Sequence, residues 1–187
     1  MQRNAKLTLI ALITVCVLPV VASYLLYFLW RPADTVNYGE LLPPRALPDA
    51  VLANPAGAGA LDRSVLDGHW TLVYVGPADC DEACRQALYT MRQSRLAQGK
   101  EMGRIERLWL VSGEGAPAAE VVSAQDALKV ARVAPDWLSY FPAAERGVHL
   151  YLVDPLGNVM MRFPSEPDIK RVIKDLQRLL KYSGLGR

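Results

Sequence analysis

The chain predicts an α/β protein, a central mixed sheet flanked by helices, preceded by one N-terminal transmembrane helix. Three observations carry that expectation. An uncharged apolar run fills most of the first thirty of 187 residues. Behind it, β-rich and helix-forming runs alternate, then close on a hairpin and a last helix. Two cysteines, Cys80 and Cys84, stand where the first of those strands hands over to a helix.

Residues 7–30 contain no charged side chain, and only Thr8, Thr14 and Ser23 are hydroxylic. About 24 residues rising ~1.5 Å each are ample for a hydrocarbon core of roughly 30 Å, and Pro19 is tolerated in such a span. Tyr24, Tyr27 and Trp30 crowd one end, as residues at a membrane interface do. Arg3 and Lys6 place residues 1–6 in the cytoplasm and the rest of the chain beyond the span. A cleaved signal peptide ending at Ala22 fits less well, because the apolar stretch runs on past the length of an h-region. No lipobox surrounds Cys16, which reads as an apolar member of the span.

The anchor region holds two of the 21 basic residues and none of the 19 acidic ones. The remainder is therefore balanced, 19 against 19, which leaves no nucleic-acid footprint.

Residues 31–60 read as a Pro/Gly-rich spacer, since Pro32, Pro43, Pro44 and Pro48 leave few places for a regular element. Within it, the small residues 54–60 form a loop between two short edge strands. The domain is expected over residues 61–187. Residues 70–75, bounded by Gly68 and by Gly76-Pro77, fit a buried strand. Residues 81–98 carry helix formers, and Gly99 supplies the stop. Residues 105–111 form a second strand. Residues 116–142 hold one or two helical pieces, one including 124–130 and another near Trp137. Strands at 148–153 and 158–163 flank the turn Asp154-Pro155-Leu156-Gly157, an antiparallel hairpin. Pro167 opens the last helix. There Ile169, Val172, Ile173, Leu176, Leu179 and Leu180 make one apolar stripe. Its basic face reads either as a solvated outer face or as a surface for a membrane or partner. This order of elements is that of a thioredoxin-like domain, with the cysteine turn at the carboxyl edge of the sheet.

Residues four apart on a first helical turn lie on one face about 6 Å apart, which a disulfide can bridge. The same spacing lets two sulfurs reach one Cu(I) ion. A helix N-terminus favours the thiolate, which is both nucleophile and metal ligand, whereas Asp79, Asp81 and Glu82 oppose it. A bridge closing so short a loop gains little chain entropy, so the pair reads as a working, solvent-facing dithiol rather than a staple.

With these residues in place, the chain resembles the Sco/SenC family of anchored thioredoxin-like proteins that assemble the copper centre of cytochrome c oxidase. The likeness rests on Asp67-Gly68-His69-Trp70, on Cys80 and Cys84, and on Tyr151-Leu152-Val153-Asp154-Pro155-Leu156-Gly157. The segment Leu41-Leu42-Pro43-Pro44-Arg45 is similar to that of companion proteins found with bacterial oxidase genes. Asp81 and Arg85 depart from the family, which places proline after each cysteine. The family's third copper ligand, a histidine, falls on Arg146, whose guanidinium stays protonated and does not ligate copper. His149 has two readings. It completes a Cys2His metal site with Cys80 and Cys84, or it packs in the strand, facing the same way as Tyr151. His69 reads as a surface residue.

The resemblance implies a single-pass protein of the bacterial inner (cytoplasmic) membrane with a periplasmic domain, assisting cytochrome c oxidase assembly. Its partners would be an oxidase subunit or another assembly factor, and its chemistry Cu(I) handling or thiol reduction at Cys80 and Cys84. That makes it a metallochaperone more than an enzyme. A non-catalytic scaffold and a generic thiol-disulfide oxidoreductase are the alternatives. Trp137, Tyr140 and Phe141 read as an aromatic cluster, either exposed for binding or buried beneath the long connection.

Overall fold

The computed structural model describes residues 2–29, 37–57 and 59–186, in two units, Met1–Val36 and Asn37–Arg187. In the first unit, helix α1 (Gln2–Leu29) runs through Pro19 without interruption. Its stretch Ala5–Phe28, with a mean hydropathy of 2.6, is long and apolar enough to cross a membrane. Trp30 and residues 31–36 of the expected spacer lie outside the described residues, as does Ala58.

The second unit is built on a six-stranded mixed sheet. Its strands are β1 (Glu40–Ala46), β4 (Trp70–Pro77), β5 (Ile105–Ser112), β6 (Leu128–Arg132), β7 (Leu150–Val153) and β8 (Asn158–Arg162), in the spatial order β1-β8-β7-β4-β5-β6. The β4, β5 and β6 strands run parallel, whereas β7, β8 and β1 add antiparallel neighbours. A separate hairpin pairs β2 (Val51–Ala53) with β3 (Ala60–Asp62), so the two short strands expected around residues 54–60 are present. Helices α2 (Glu82–Leu96), α3 (Ala119–Ser123) and α4 (Ile169–Tyr182) complete the unit.

Strand alternation divides the core into two layers. Trp70, Leu72 and Tyr74 of β4 point toward one layer with Leu88 and Met91 of α2, Leu176 and Leu180 of α4, and both cysteines of the turn. Val73 and Val75 point the other way, into a layer that includes Leu47, Leu52, Trp137, Phe141 and Tyr151. The aromatic cluster is thus mainly buried. Trp137 and Phe141 are in the core, and the Trp137 indole N–H donates to the Pro48 carbonyl at 3.0 Å.

Two expectations are corrected. Part of the expected spacer is sheet: β1 lies at the edge, pairing only with β8, and its register shifts between Leu41 and Arg45, where Pro43 and Pro44 sit. A proline is admissible on an edge strand at a bulge, because no neighbour asks for its missing N–H. The helix expected over 124–130 is not formed. Ala127 adopts φ 55°, which breaks helical continuation. Leu128 then starts a strand that pairs with Arg107 of β5. The buried Arg107 guanidinium secures this break by donating to Gln125 Oε1 at 3.2 Å and to the Asp126 carbonyl.

Candidate functional site

Strand β4 ends at Pro77, and three residues later Cys80 precedes the N-cap of α2. Asp81 is that cap: its Oδ1 accepts the Cys84 backbone N–H at 2.9 Å, satisfying a donor the helix leaves unpaired. Glu82 in the first turn complements the positive helix end. Cys80 therefore stands just outside the helix and Cys84 in its first turn, which corrects the expectation that both sit on the helix. The two are joined by a disulfide with 5.1 Å between Cα atoms, in the ordinary range for such a bridge.

The two cysteines are not equivalent. Cys84 is fully buried, whereas Cys80 keeps 8 % of its surface exposed. The expectation of a solvent-facing pair is corrected: both residues lie in the core layer beneath α2, Cys84 completely buried and Cys80 nearly so. Arg85, where the family carries proline, donates from Nη1 to the Cys80 carbonyl at 3.0 Å and pairs with Glu82 at 3.3 Å. That exposed ion pair contributes little by itself, but the carbonyl contact ties the Cys80 backbone to the helix.

Tyr74, legible in the sequence only as a strand residue, and Gly76, legible only as the strand's boundary, act together in the structure. The Tyr74 hydroxyl donates to the Gly147 carbonyl at 2.8 Å, fastening the turn that follows residues 144–146 to the strand leading into Cys80. A Cβ on Gly76 would meet that hydroxyl at 2.4 Å, so only glycine leaves room for it. A Tyr-x-Gly pattern at a strand end is the signal that could have drawn attention to it. Burial, with a smaller part from the Asp81 carboxylate, pushes the Tyr74 phenol up to about 12. A raised phenol pKa contributes stability that is intact below the unfolded value near ~10 and is lost as pH rises through about 12. Tyr74→Phe is accordingly expected to flatten the loss of stability over that alkaline window, read by denaturant unfolding at successive pH values. Tyr151, also pushed up by burial, contributes in the same direction and is retained in that variant.

His149 is not brought to the sulfurs. Its Nδ1–H donates to the Phe163 carbonyl at 2.9 Å, and its ring lies 6.4 Å from that of Tyr151. It stands one residue before β7, in phase with Tyr151, whereas Leu150 and Leu152 share the layer of the cysteines. Strand alternation thus turns the imidazole to the far face of the sheet. Among the described residues no three His, Cys, Asp or Glu side chains converge as a metal-holding group. Of the two readings of His149, this placement is that of a residue packing in the strand beside Tyr151. Arg146 and Glu145 are exposed in a 3₁₀ turn, and His69 is partly exposed with Nδ1 3.1 Å from the Asp67 carbonyl. A groove of about 460 Å³ opens beside the first turns of α2, between Glu82, Gln86, Val148 and Glu166.

A family model described as transmembrane-like, thioredoxin-like, C-terminal domain matches residues 70–183. No curated protein matches the chain. Among solved structures, yeast Sco1 with copper bound has a TM-score of 0.62 at 16 % identity, covering 75 % of this chain and 96 % of that one. Apo Sco1 from Thermus thermophilus has a TM-score of 0.59 at 19 % identity, covering 79 % and 99 %. A structure identifying a disulfide switch in BsSco, a member of the Sco family of cytochrome c oxidase assembly proteins, has a TM-score of 0.53 at 13 % identity, covering 82 % and 100 %. At these identities the likeness is one of fold.

Proposed function

This chain belongs to the family of transmembrane-like, thioredoxin-like C-terminal domains, and from that premise we propose that it is a disulfide reductant serving cytochrome c oxidase assembly. In this reading α1 anchors the chain in the bacterial inner membrane with its N-terminus cytoplasmic. The Asn37–Arg187 unit works in the periplasm, on the copper-binding cysteines of an oxidase subunit or of another assembly factor. The observation that carries the reading is the inequivalent Cys80–Cys84 bridge at the mouth of α2.

The chemistry follows from that asymmetry. In the dithiol state, the Cys80 thiolate attacks one sulfur of a client disulfide, forming a mixed disulfide and releasing one client thiolate. The Cys84 thiolate then attacks the Cys80 sulfur from within, so the second client thiolate leaves and the Cys80–Cys84 bond forms. Two electrons pass to the client, which is left as a dithiol competent for copper. A dithiol reductant of the compartment returns the chain to its starting state. Asp81 and Arg85 hold the backbone of the two cysteines in register, and the groove beside Glu82 and Val148 receives the client segment.

A second reading is Cu(I) as cargo on the two thiolates, favoured by the soft two-sulfur donor set and by the copper-bound Sco structure of the same fold. The test runs both assays on the full chain in detergent. The reduced chain is expected to reduce a disulfide-bonded copper-site peptide, with Cys80→Ser inactive and Cys84→Ser trapped as a mixed disulfide. One equivalent of Cu(I), lost with either cysteine and kept in His149→Ala, would support the cargo reading. Neither activity would leave a scaffold and remove both.

A further inference from the structure

We propose that the basic face of α4 docks on anionic lipid headgroups of the membrane that holds the anchor. The inference rests on the anchored reading given above and adds a lipid-binding surface to it. Along α4, Lys170, Lys174, Gln177 and Lys181 recur at intervals of 4, 3 and 4 residues, which is one stripe of a helix, and all four are exposed. The only acid within the helix, Asp175, is buried on the opposite side, where it accepts two backbone N–H groups. Glu166 and Asp168 lie before its first turn. No ion pair among the described residues involves Lys170, Lys174 or Lys181. The stripe carries three lysines without an ion pair, with Glu166 and Asp168 before its first turn and Glu101 lining the same pocket as Gln177 and Lys181 near its other end.

Chain length says what would cover it. Leu29 ends the described anchor helix and Asn37 begins the described domain. Eight steps along the sequence reach at most about 28 Å when fully stretched. The next residue, Tyr38, lies directly against α4. Its N–H donates to Asp175 at 2.8 Å, its hydroxyl accepts the Asp168 N–H at 3.0 Å, and the Arg171 guanidinium lies 4.0 Å from its ring centroid. The tether thus leaves the domain on the Asp168–Arg171–Asp175 flank of α4, on the same helix as the lysine stripe, and a surface joined by so short a tether meets this helix at high effective concentration. Because the apolar stripe of α4 is spent on the core, the attraction is electrostatic and falls with salt. Tyr182, 76 % exposed at the end of the helix, adds an aromatic of the kind found at headgroup depth.

The full chain is reconstituted into nanodiscs of pure phosphatidylcholine, or with one third phosphatidylglycerol, and its lysines are acylated with an amine-reactive ester. Lys100, exposed in the turn after α2, is the internal reference. In the anionic discs, acylation of Lys170, Lys174 and Lys181 is expected to fall by about fivefold, what one basic side chain near an anionic surface supplies. Protection should vanish at molar salt, and the Lys181 rate in Lys170→Glu/Lys174→Glu should match the neutral discs. Equal rates in the two discs would overturn the proposal, as would protection that appears only in native membranes, which would assign the stripe to a protein partner. A chain that fails to enter either disc would remove the anchored reading as well.

Discussion

In the reduced chain carrying Cys16→Ser, iodoacetamide is expected to modify Cys80 about a hundredfold faster than Cys84, the ratio that ~2.7 kcal/mol of local opening imposes. Cys84 is fully enclosed by the layer containing Leu88, Leu150 and Leu152, and its N–H is committed to Asp81. To react, it waits for the first turn of α2 to open, which breaks that cap. Cys80 stands before the cap and keeps 8 % of its surface in solvent, so it is reached without opening the helix. The two-step exchange requires this order. A nucleophile must be reachable by a client, and the resolving sulfur must be shielded from one until the mixed disulfide has formed. Peptide mapping of the alkylated chain over time measures both rates. Comparable rates would mean that burial does not discriminate between the sulfurs, and a faster Cys84 would invert their roles.

The parts of the fold legible in the sequence were those with a strong local pattern. The apolar run as far as Leu29, the buried β4 run, the 154–157 turn and the apolar stripe of α4 all announce their period, and each is present in the described residues. The failures came where long-range pairing overrides local character. Pro43 and Pro44 read as chain that pairs with nothing, yet the edge position beside β8 needs no N–H from them. Residues 124–130 have helical composition, but β5 offers an unpaired side, and strand β6 fills it. The cysteine turn was located correctly because a strand-to-helix junction is a local signal. The unequal burial of its two sulfurs was not legible, since it depends on which side chains close over α2. For His149 the sequence supports both a ligand and a packing residue. The deciding fact is the phase of β7 against Tyr151, which requires knowing where the strand begins.

Asp175→Ala is expected to cost about 3 kcal/mol, because two charge-assisted hydrogen bonds are lost and two N–H groups at a buried joint are left unpaired. One oxygen, Oδ2, accepts from Tyr38 N–H at 2.8 Å and from Gly39 N–H at 2.9 Å. These bonds reach 137 and 136 residues along the chain, so no local interaction replaces them. They pin the residues entering β1 to α4, next to Phe163 and Met161, which a Cβ on Gly39 would strike. For a unit of this size the loss lowers the melting midpoint by about 6–12 °C. It should also appear locally, as faster amide exchange over Glu40–Ala46, since an edge strand has one neighbour and its end would be released. Asp175→Asn keeps an acceptor oxygen without the charge and should lose about 1 kcal/mol. If the alanine variant does not fold, the asparagine variant still supplies the exchange measurement. Amides of β1 as protected in Asp175→Asn and Asp175→Ala as in the parent would show that pairing with β8 alone holds the edge, and the clamp would then have no part in keeping it closed.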